Sequence, residues 1–335
     1  MKRLGWIFLC VLISFSTIAQ KKAPKSIEPA AINLENITYP FPVKFVNASV
    51  QWQQLRMAYM DVQPEKPNGK NILLLHGKNF NGSYWETTAK DLQKQGYRVI
   101  IPDQVGFGKS TKPRHFQYSF QLMAMQTKSL LDSLGITKAI VLGHSMGGML
   151  ATRLALMYPS VAEKLILEDP IGLEDYKIKV PYQPVEYWYR SELKQDYNSL
   201  KKYQQENYYH GTWKPEYEKW LLTLARWTMN VDYSVIAWNS ALTYDMIFTQ
   251  PVVYEFDQLQ VPTLLIIGEL DKTALGKNLV SDDVKKTMGN YPTLARQTVD
   301  KIKNAQLVII PHTGHLPHVE SFDQFIKNVN TFIKQ

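Results

Sequence analysis

The sequence predicts an α/β protein with a mostly parallel, doubly wound sheet, interrupted once by a mostly helical insertion. Three observations carry the prediction. Short, wholly apolar runs such as Asn71–Leu75 (NILLL) read as strands covered on both faces, the pattern of a parallel sheet. Between residues 71 and 167 these runs alternate with longer stretches of helical periodicity, which implies βαβ units. The alternation stops at Ile171 and resumes at Pro262, so about 90 residues are inserted into one α/β core.

Taken in order, residues 20–40 are polar and proline-bearing and read as a linker. Two strands are expected over Val43–Ser49 and Gln54–Asp61, followed by a turn at Pro64–Gly69. After the NILLL strand, Ser83–Gln95 reads as a helix. Ser83 is its expected N-cap, with Glu86 three residues on as a capping box, and Gly96 ends it. The series continues with a strand at Tyr97–Ile101, a helix at Ser119–Leu134, a strand at Lys138–Leu142, a helix at Ser145–Tyr158 and a strand at Lys164–Leu167. Beyond the insertion come strands at Pro262–Gly268 and Gln306–Ile310 and a last helix at Glu320–Ile333. The domain division is therefore a core of residues 41–170 and 261–335, with a helical cap at 171–260.

Met1-Lys2-Arg3 is a basic head, Leu4–Ile18 an apolar run, and Thr17 and Ala19 a small-x-small pattern. This reads as a signal peptide over residues 1–19 and places the protein in the periplasm or outside the cell. The run is shorter than the ~20 residues of a spanning helix, and no later segment is apolar enough to span, so no stable membrane span is expected after cleavage. Cys10, the only cysteine, lies within that run, which leaves no disulfide in the mature chain. The formal charge of +8 falls to +6 without Lys2 and Arg3, and no basic block or nucleic-acid motif accompanies it. No nucleic-acid partner is expected.

The chemistry concentrates in VLGHSMGGML, residues 141–150, which matches G-x-S-x-G between a predicted strand and a predicted helix. Gly143 and Gly147 lack the Cβ atoms that would collide at so sharp a turn, and the turn exposes Ser145 beside free helix N–H groups. A serine nucleophile needs a base. His315, in IPHTGHLPHVE, lies after a predicted strand at the sheet edge that carries Ser145; His312 and His318 are neighbouring rivals. The spacing of the three histidines invites a zinc reading, but no cysteine or aspartate cluster completes a ligand set, and no metal or other cofactor is expected. His144 is expected to hold the turn, and His76 its own loop. Asp271, after PTLLIIG, suits the orienting acid, with Glu168 or Asp169 as alternatives. For an oxyanion, the backbone N–H groups of Met146 and of Lys78, beside Gly77, are the candidate donors. GFGKST, residues 106–111, imitates a phosphate-binding loop. However, Asp103 stands where its first glycine belongs and Pro113 blocks the helix that should follow.

Together LLLHG (73–77), PDQVGFGKS (102–110), GHSMGG (143–148), PTLLIIGELD (262–271) and GHLPHVE (314–320) resemble the α/β-hydrolase superfamily over Val43–Ile333. The resemblance implies Ser145 as nucleophile, Asp271 as acid, His315 as base, Lys78 and Met146 as oxyanion donors, and residues 171–260 as a cap between the sixth and seventh strands. Two departures stand out. The 44 residues from Asp271 to His315 exceed the family's usual gap, which points to an insertion around Ser281–Arg296. A serine nucleophile also speaks against the haloalkane dehalogenases and epoxide hydrolases.

The cap holds 19 of the chain's 40 aromatic residues, which suits both a bulky helical layer and an apolar or aromatic-accepting pocket for a small molecule. The expected function is hydrolysis of carboxylic esters of small to medium apolar acids through an acyl-enzyme. A C–C bond hydrolase and an amidase or aminopeptidase remain open on the same triad. So does a non-catalytic binding protein on the same fold.

Overall fold

Each apolar run pairs with others because a strand that is apolar on both faces has no other way to satisfy its backbone and leave water. The computed structural model describes residues 28–335; the signal-peptide reading of residues 1–19 lies outside the described residues. The strands are β1 (Val43–Val50), β2 (Gln53–Val62), β3 (Asn71–Leu75), β4 (Arg98–Pro102), β5 (Ala139–His144), β6 (Ala162–Glu168), β7 (Thr263–Gly268) and β8 (Ala305–Ile310). They form one sheet in the order β1-β2-β4-β3-β5-β6-β7-β8. β2 runs antiparallel to β1 and β4, and the remaining pairs are parallel.

The helices are α1 (Glu86–Lys94), α2 (Phe120–Ser133), α3 (Met146–Met157), α4 (Val185–Glu192), α5 (Tyr197–Asn207), α6 (Glu218–Thr228), α7 (Tyr233–Thr249), α8 (Asp282–Lys286), α9 (Tyr291–Val299), α10 (Pro317–Glu320) and α11 (Phe322–Lys334). Period-two alternation divides the core between the faces. Leu73, Leu75, Val141, Leu165 and Leu265 pack with Met123, Leu150 and Ala295 of α2, α3 and α9. Ile72, Leu74, Leu142, Ile166 and Leu264 pack with Leu92, Phe325 and Val329 of α1 and α11. Burying each such side chain contributes ~1.5–3 kcal/mol relative to exposure, so both faces resist any slip in register. Parallel strands that end at one edge bring the loops after β3, β5, β6, β7 and β8 together, and the candidate site forms there.

Between β6 and β7 the chain leaves the sheet for α4, α5, α6 and α7. α5 opens with a capping box: the Asp196 side chain accepts from Ser199 N, and Ser199 Oγ accepts from Asp196 N. α4 packs against α7, and α5 against α6. Within the long gap from Asp271 to His315, α9 is the crossover helix that a parallel β7–β8 pair requires. The surplus lies before it, in residues 272–290.

Two local expectations are corrected. The first helix is not capped by Ser83. A 3₁₀ turn, Gly82–Trp85, precedes α1 and is capped by Asn81, whose Oδ1 accepts from Ser83 N at 3.0 Å, while α1 itself has Trp85 at its N-cap position and no side-chain cap. Trp85 has to be fully buried, and the tighter turn swings it under the sheet. The second correction concerns residues 28–40 of the expected linker, which form a strap. Ala30 and Leu34 are completely buried. Ala30 N donates to Arg226 O, Trp227 Nε1 to Ala31 O and Asn230 Nδ2 to Ala30 O, all at 2.7–3.0 Å. On the core side Lys109 Nζ donates to Leu34 O, and Tyr39 OH donates to Asp103 Oδ2 at 2.8 Å. The segment thus ties α6 to the loop after β4. Polar composition hid this, because the strap is held through backbone groups and a few spaced apolar side chains.

Candidate active site

β5 runs into α3 through Ser145 alone, and the turn forces Ser145 to φ +56°, ψ −120°. Such a conformation costs a non-glycine residue ~1–3 kcal/mol and persists only where the surroundings dictate it. Here they do: Ser145 N donates to Glu168 O at 3.0 Å, and Ser145 O accepts from Gly148 N at 2.9 Å. A Cβ on Gly143 would run into the Gly147 carbonyl, and one on Gly147 into the Leu75 carbonyl. The two glycines therefore let α3 lie directly against β5 and β3.

The loop after β8 brings His315 to this serine. His315 Nε2 is 3.0 Å from Ser145 Oγ, and His315 Nδ1 is 2.7 Å from Asp271 Oδ2. Asp271 Oδ1 accepts from Thr273 N at 2.8 Å, which fixes the carboxylate plane. The Tyr208 ring stacks on His315 at 4.9 Å, and Tyr208 O accepts from His315 N at 2.8 Å. The rival groups are engaged elsewhere. Glu168 Oε1 accepts from His318 N and from His318 Nδ1, at 2.7 and 2.8 Å. Asp169 accepts from Gly268 N at 3.0 Å. Burial and the neighbouring Asp271 and Glu168 charges hold the Asp169 carboxyl well above the usual carboxylate range. His312 is exposed, so the three spaced histidines do not converge on one point.

Among the described residues, neither Lys78 N–H nor Met146 N–H donates to another protein group. Both flank the serine, one at the β3 loop and one at the start of α3. A directed chain of hydrogen bonds braces them against the histidine loop. Gly77 N donates to Tyr84 OH at 3.0 Å, so the hydroxyl hydrogen of Tyr84 goes to His144 Nδ1, also at 3.0 Å. His144 Nε2 must then carry its proton, and it donates to His315 O at 2.7 Å. Burial holds His144 well below the usual histidine range, so the ring stays neutral and this order is kept. His76 is likewise structural, with Gln104 N donating to its Nε2 at 3.0 Å. The GFGKST loop encloses a carboxylate, since Asp103 accepts from Gly82 N, Lys109 N and Tyr39 OH at 2.7–2.8 Å.

Ser145 opens into a cavity of about 430 Å³ between core and cap, walled by Ile171, Trp188, Tyr208, Tyr244 and Ile247 and closed by residues 273–278. The cap aromatics thus divide. Trp188, Tyr203, Tyr208 and Tyr244 face the cavity, whereas Tyr209 and Tyr217 stack on each other at 3.8 Å away from it. Sequence reading missed the Lys78 side chain. It crosses to the cap, where Nζ donates to Ser240 Oγ at 2.6 Å, lies 3.6 Å from the Tyr244 ring centroid and 3.9 Å from Glu192 Oε1. Burial pushes this ammonium down to about 8 against the opposing pull of Glu192. A lysine directly after His76-Gly77 was the available signal, but nothing in the sequence says that α4 and α7 receive it.

An eight-stranded, mostly parallel sheet with a serine elbow and an aspartate–histidine pair at its carboxyl edge defines a hydrolase class. The α/β hydrolase fold family matches residues 70–322, and the chain belongs to that family. A probable hydrolytic enzyme from Pseudomonas aeruginosa PAO1 superposes with a TM-score of 0.91 at 48% identity, covering 92% of this chain and 99% of that one. Lipase 1 of Psychrobacter immobilis is 26% identical over 265 residues, 79% of this chain and 77% of the lipase. A 2-hydroxy-6-oxo-6-phenylhexa-2,4-dienoate hydrolase of Burkholderia cepacia is 37% identical over 108 residues, 31% of this chain and 38% of that enzyme. The protein is a hydrolase.

Proposed function

We propose that the protein is a serine hydrolase acting through an acyl-enzyme on carboxylic esters of small to medium apolar acids. The observation that carries the reading is the continuous line Asp271 Oδ2–His315 Nδ1, His315 Nε2–Ser145 Oγ, at 2.7 and 3.0 Å. Ser145 Oγ attacks the ester carbonyl carbon while His315 Nε2 takes the hydroxyl proton. Asp271 holds the ring in the tautomer that leaves Nε2 free and stabilises the imidazolium. The oxyanion is held by the Lys78 and Met146 N–H groups. As the C–O bond breaks, His315 returns its proton to the leaving alkoxide. Water then attacks the acyl-enzyme, giving a proton to His315, and the acid departs as the proton returns to Ser145. Ile171, Trp188, Tyr244 and Ile247 on the cavity wall support an apolar acid as the acyl group, while Glu206, Lys277 and Lys285 line a polar part of the same cavity.

Labelling with a fluorophosphonate, followed by peptide mapping, tests the nucleophile, with the adduct expected on Ser145. Ser145→Ala assayed on a panel of aryl esters should lose turnover, and a variant as active as the wild type sinks the assignment. Export is part of the same proposal and rests on the pattern of residues 1–19. N-terminal sequencing of protein recovered from an exporting host checks it, and an intact Met1 would overturn it.

A further inference from the structure

Beyond the nucleophile cavity lies a second, smaller one of about 80 Å³, walled by Leu224, Trp227, Tyr233 and Ile236. Lys78, Asn79, Tyr203 and Tyr244 line both cavities, so the two adjoin at the residue that flanks the oxyanion position. Its walls are apolar and aromatic, yet it contains the side chains of both Lys78 and Glu192, which are 8% and 15% exposed.

The hydrogen bonding there is incomplete. An ammonium has three N–H donors. One goes to Ser240 Oγ, and the Tyr244 ring face occupies another side. The remaining direction meets Glu192 Oε1 only at 3.9 Å, beyond hydrogen-bond reach. Among the described residues no group donates to the Glu192 carboxylate. Lys78 and Glu192 thus form an ion pair at 3.9 Å, too long for a hydrogen bond, with donor and acceptor capacity left over on both sides.

From this geometry we infer that the smaller cavity is a specificity subsite for a short, neutral, hydroxyl-bearing arm of the substrate. The hydroxyl oxygen accepts from Lys78 Nζ and its hydrogen goes to Glu192. An arm ending in a carboxylate would meet Glu192, and one ending in an ammonium would meet Lys78, each in poorly hydrated surroundings where like charges repel strongly. A methyl-ended arm would leave both polar groups unpaired. The subsite rests on the serine-hydrolase reading only in that the arm belongs to a substrate positioned at Ser145.

Two matched series of esters, one varying the acyl arm and one the alcohol arm, test it with methyl, hydroxyl and carboxylate ends. In one series the wild type should favour hydroxyl over methyl by about tenfold or more in kcat/KM, the effect of a hydrogen bond to a charged group. The carboxylate should come last. Lys78→Met should bring the hydroxyl-to-methyl ratio towards one, and Glu192→Gln should raise the carboxylate-ended ester relative to the methyl-ended one. Ratios within about twofold of one in both series, or a preference for carboxylate, would overturn the subsite. Calorimetric titration of Ser145→Ala with short diols, alcohols and carboxylates reads the same preference without turnover. Diols that bind no better than the matched alcohols sink the subsite even if Ser145 is the nucleophile. Conversely, turnover retained by Ser145→Ala sinks the mechanism while the diol preference is judged separately.

Discussion

Replacing Asp271 with asparagine, alongside the same change at Asp169, separates the orienting acid from the carboxyl beside it. Asp271 lies 2.7 Å from His315 Nδ1, and both side chains are at most 1% exposed. At that distance a pair of unit charges interacts by about 6 kcal/mol at an effective dielectric of ~20. On the proposed mechanism the imidazole gains charge as it takes the serine proton, so this attraction acts on the transition state. At ~1.4 kcal/mol per tenfold, it is worth about four orders of magnitude in kcat/KM. Asp271→Asn should lose most of that, because it removes the charge and its amide can hold the wrong ring tautomer. Asp169 is different. Burial, with the neighbouring Asp271 and Glu168 charges, already holds its carboxyl well above the usual carboxylate range, which disfavours the ionised form. Asparagine there keeps the shape and an acceptor for Gly268 N, and activity should stay within a few-fold of wild type. The assay is kcat/KM on an aryl ester, with circular dichroism to show that both variants fold. A loss below about tenfold for Asp271→Asn, or an equal loss for Asp169→Asn, refutes the reasoning.

Three further outcomes follow from the fold. Gly147→Ala should drive its new methyl into the Leu75 carbonyl and push α3 away from the loop after β3. Overpacking of this kind costs ~1–3 kcal/mol, read as a lower Tm together with reduced kcat, and a variant with wild-type values of both would contradict the close packing. Leu34→Ala should cost ~2–5 kcal/mol, because Leu34 is wholly buried in the strap. A urea midpoint unchanged at constant slope would mean that the strap contributes nothing. Burial raises Glu320 to about 7, while Leu316 N and Gly314 N, donating to its carboxylate, pull the other way. A raised folded value means that its contribution is complete below the unfolded value of about 4.5 and is lost as pH climbs through about 7. Glu320→Gln should flatten stability across that window, and a variant whose pH profile parallels the wild type's would rule this out.

Local patterns made the sheet readable. A run such as NILLL excludes water from both faces wherever it sits, and its strand emerges at the same residues, 71–75. The elbow was equally legible, since glycines at 143 and 147 around one serine answer a steric demand internal to ten residues. His315 could be placed at the right edge, but not separated on chemistry alone from His318. Both become buried, and each takes a carboxylate through Nδ1. Which histidine faces Ser145 depends on how the loop after β8 folds back over α3.

Sequence by itself therefore determined the alternation of strands and helices, the serine elbow and the order of Ser145, Asp271 and His315 along the chain. These are fixed by side-chain volume, by period and by the backbone limits of a sharp turn, all of them short-range. Tertiary structure alone decided that Asp271 and not Glu168 meets His315, that residues 28–40 strap the cap to the core, and that Lys78 reaches α4 and α7. Each of these joins groups distant in the chain, such as the 162 residues between Lys78 and Ser240. The energies involved come from burial and from hydrogen bonds that exist only once the sheet, its loops and the cap have closed around them.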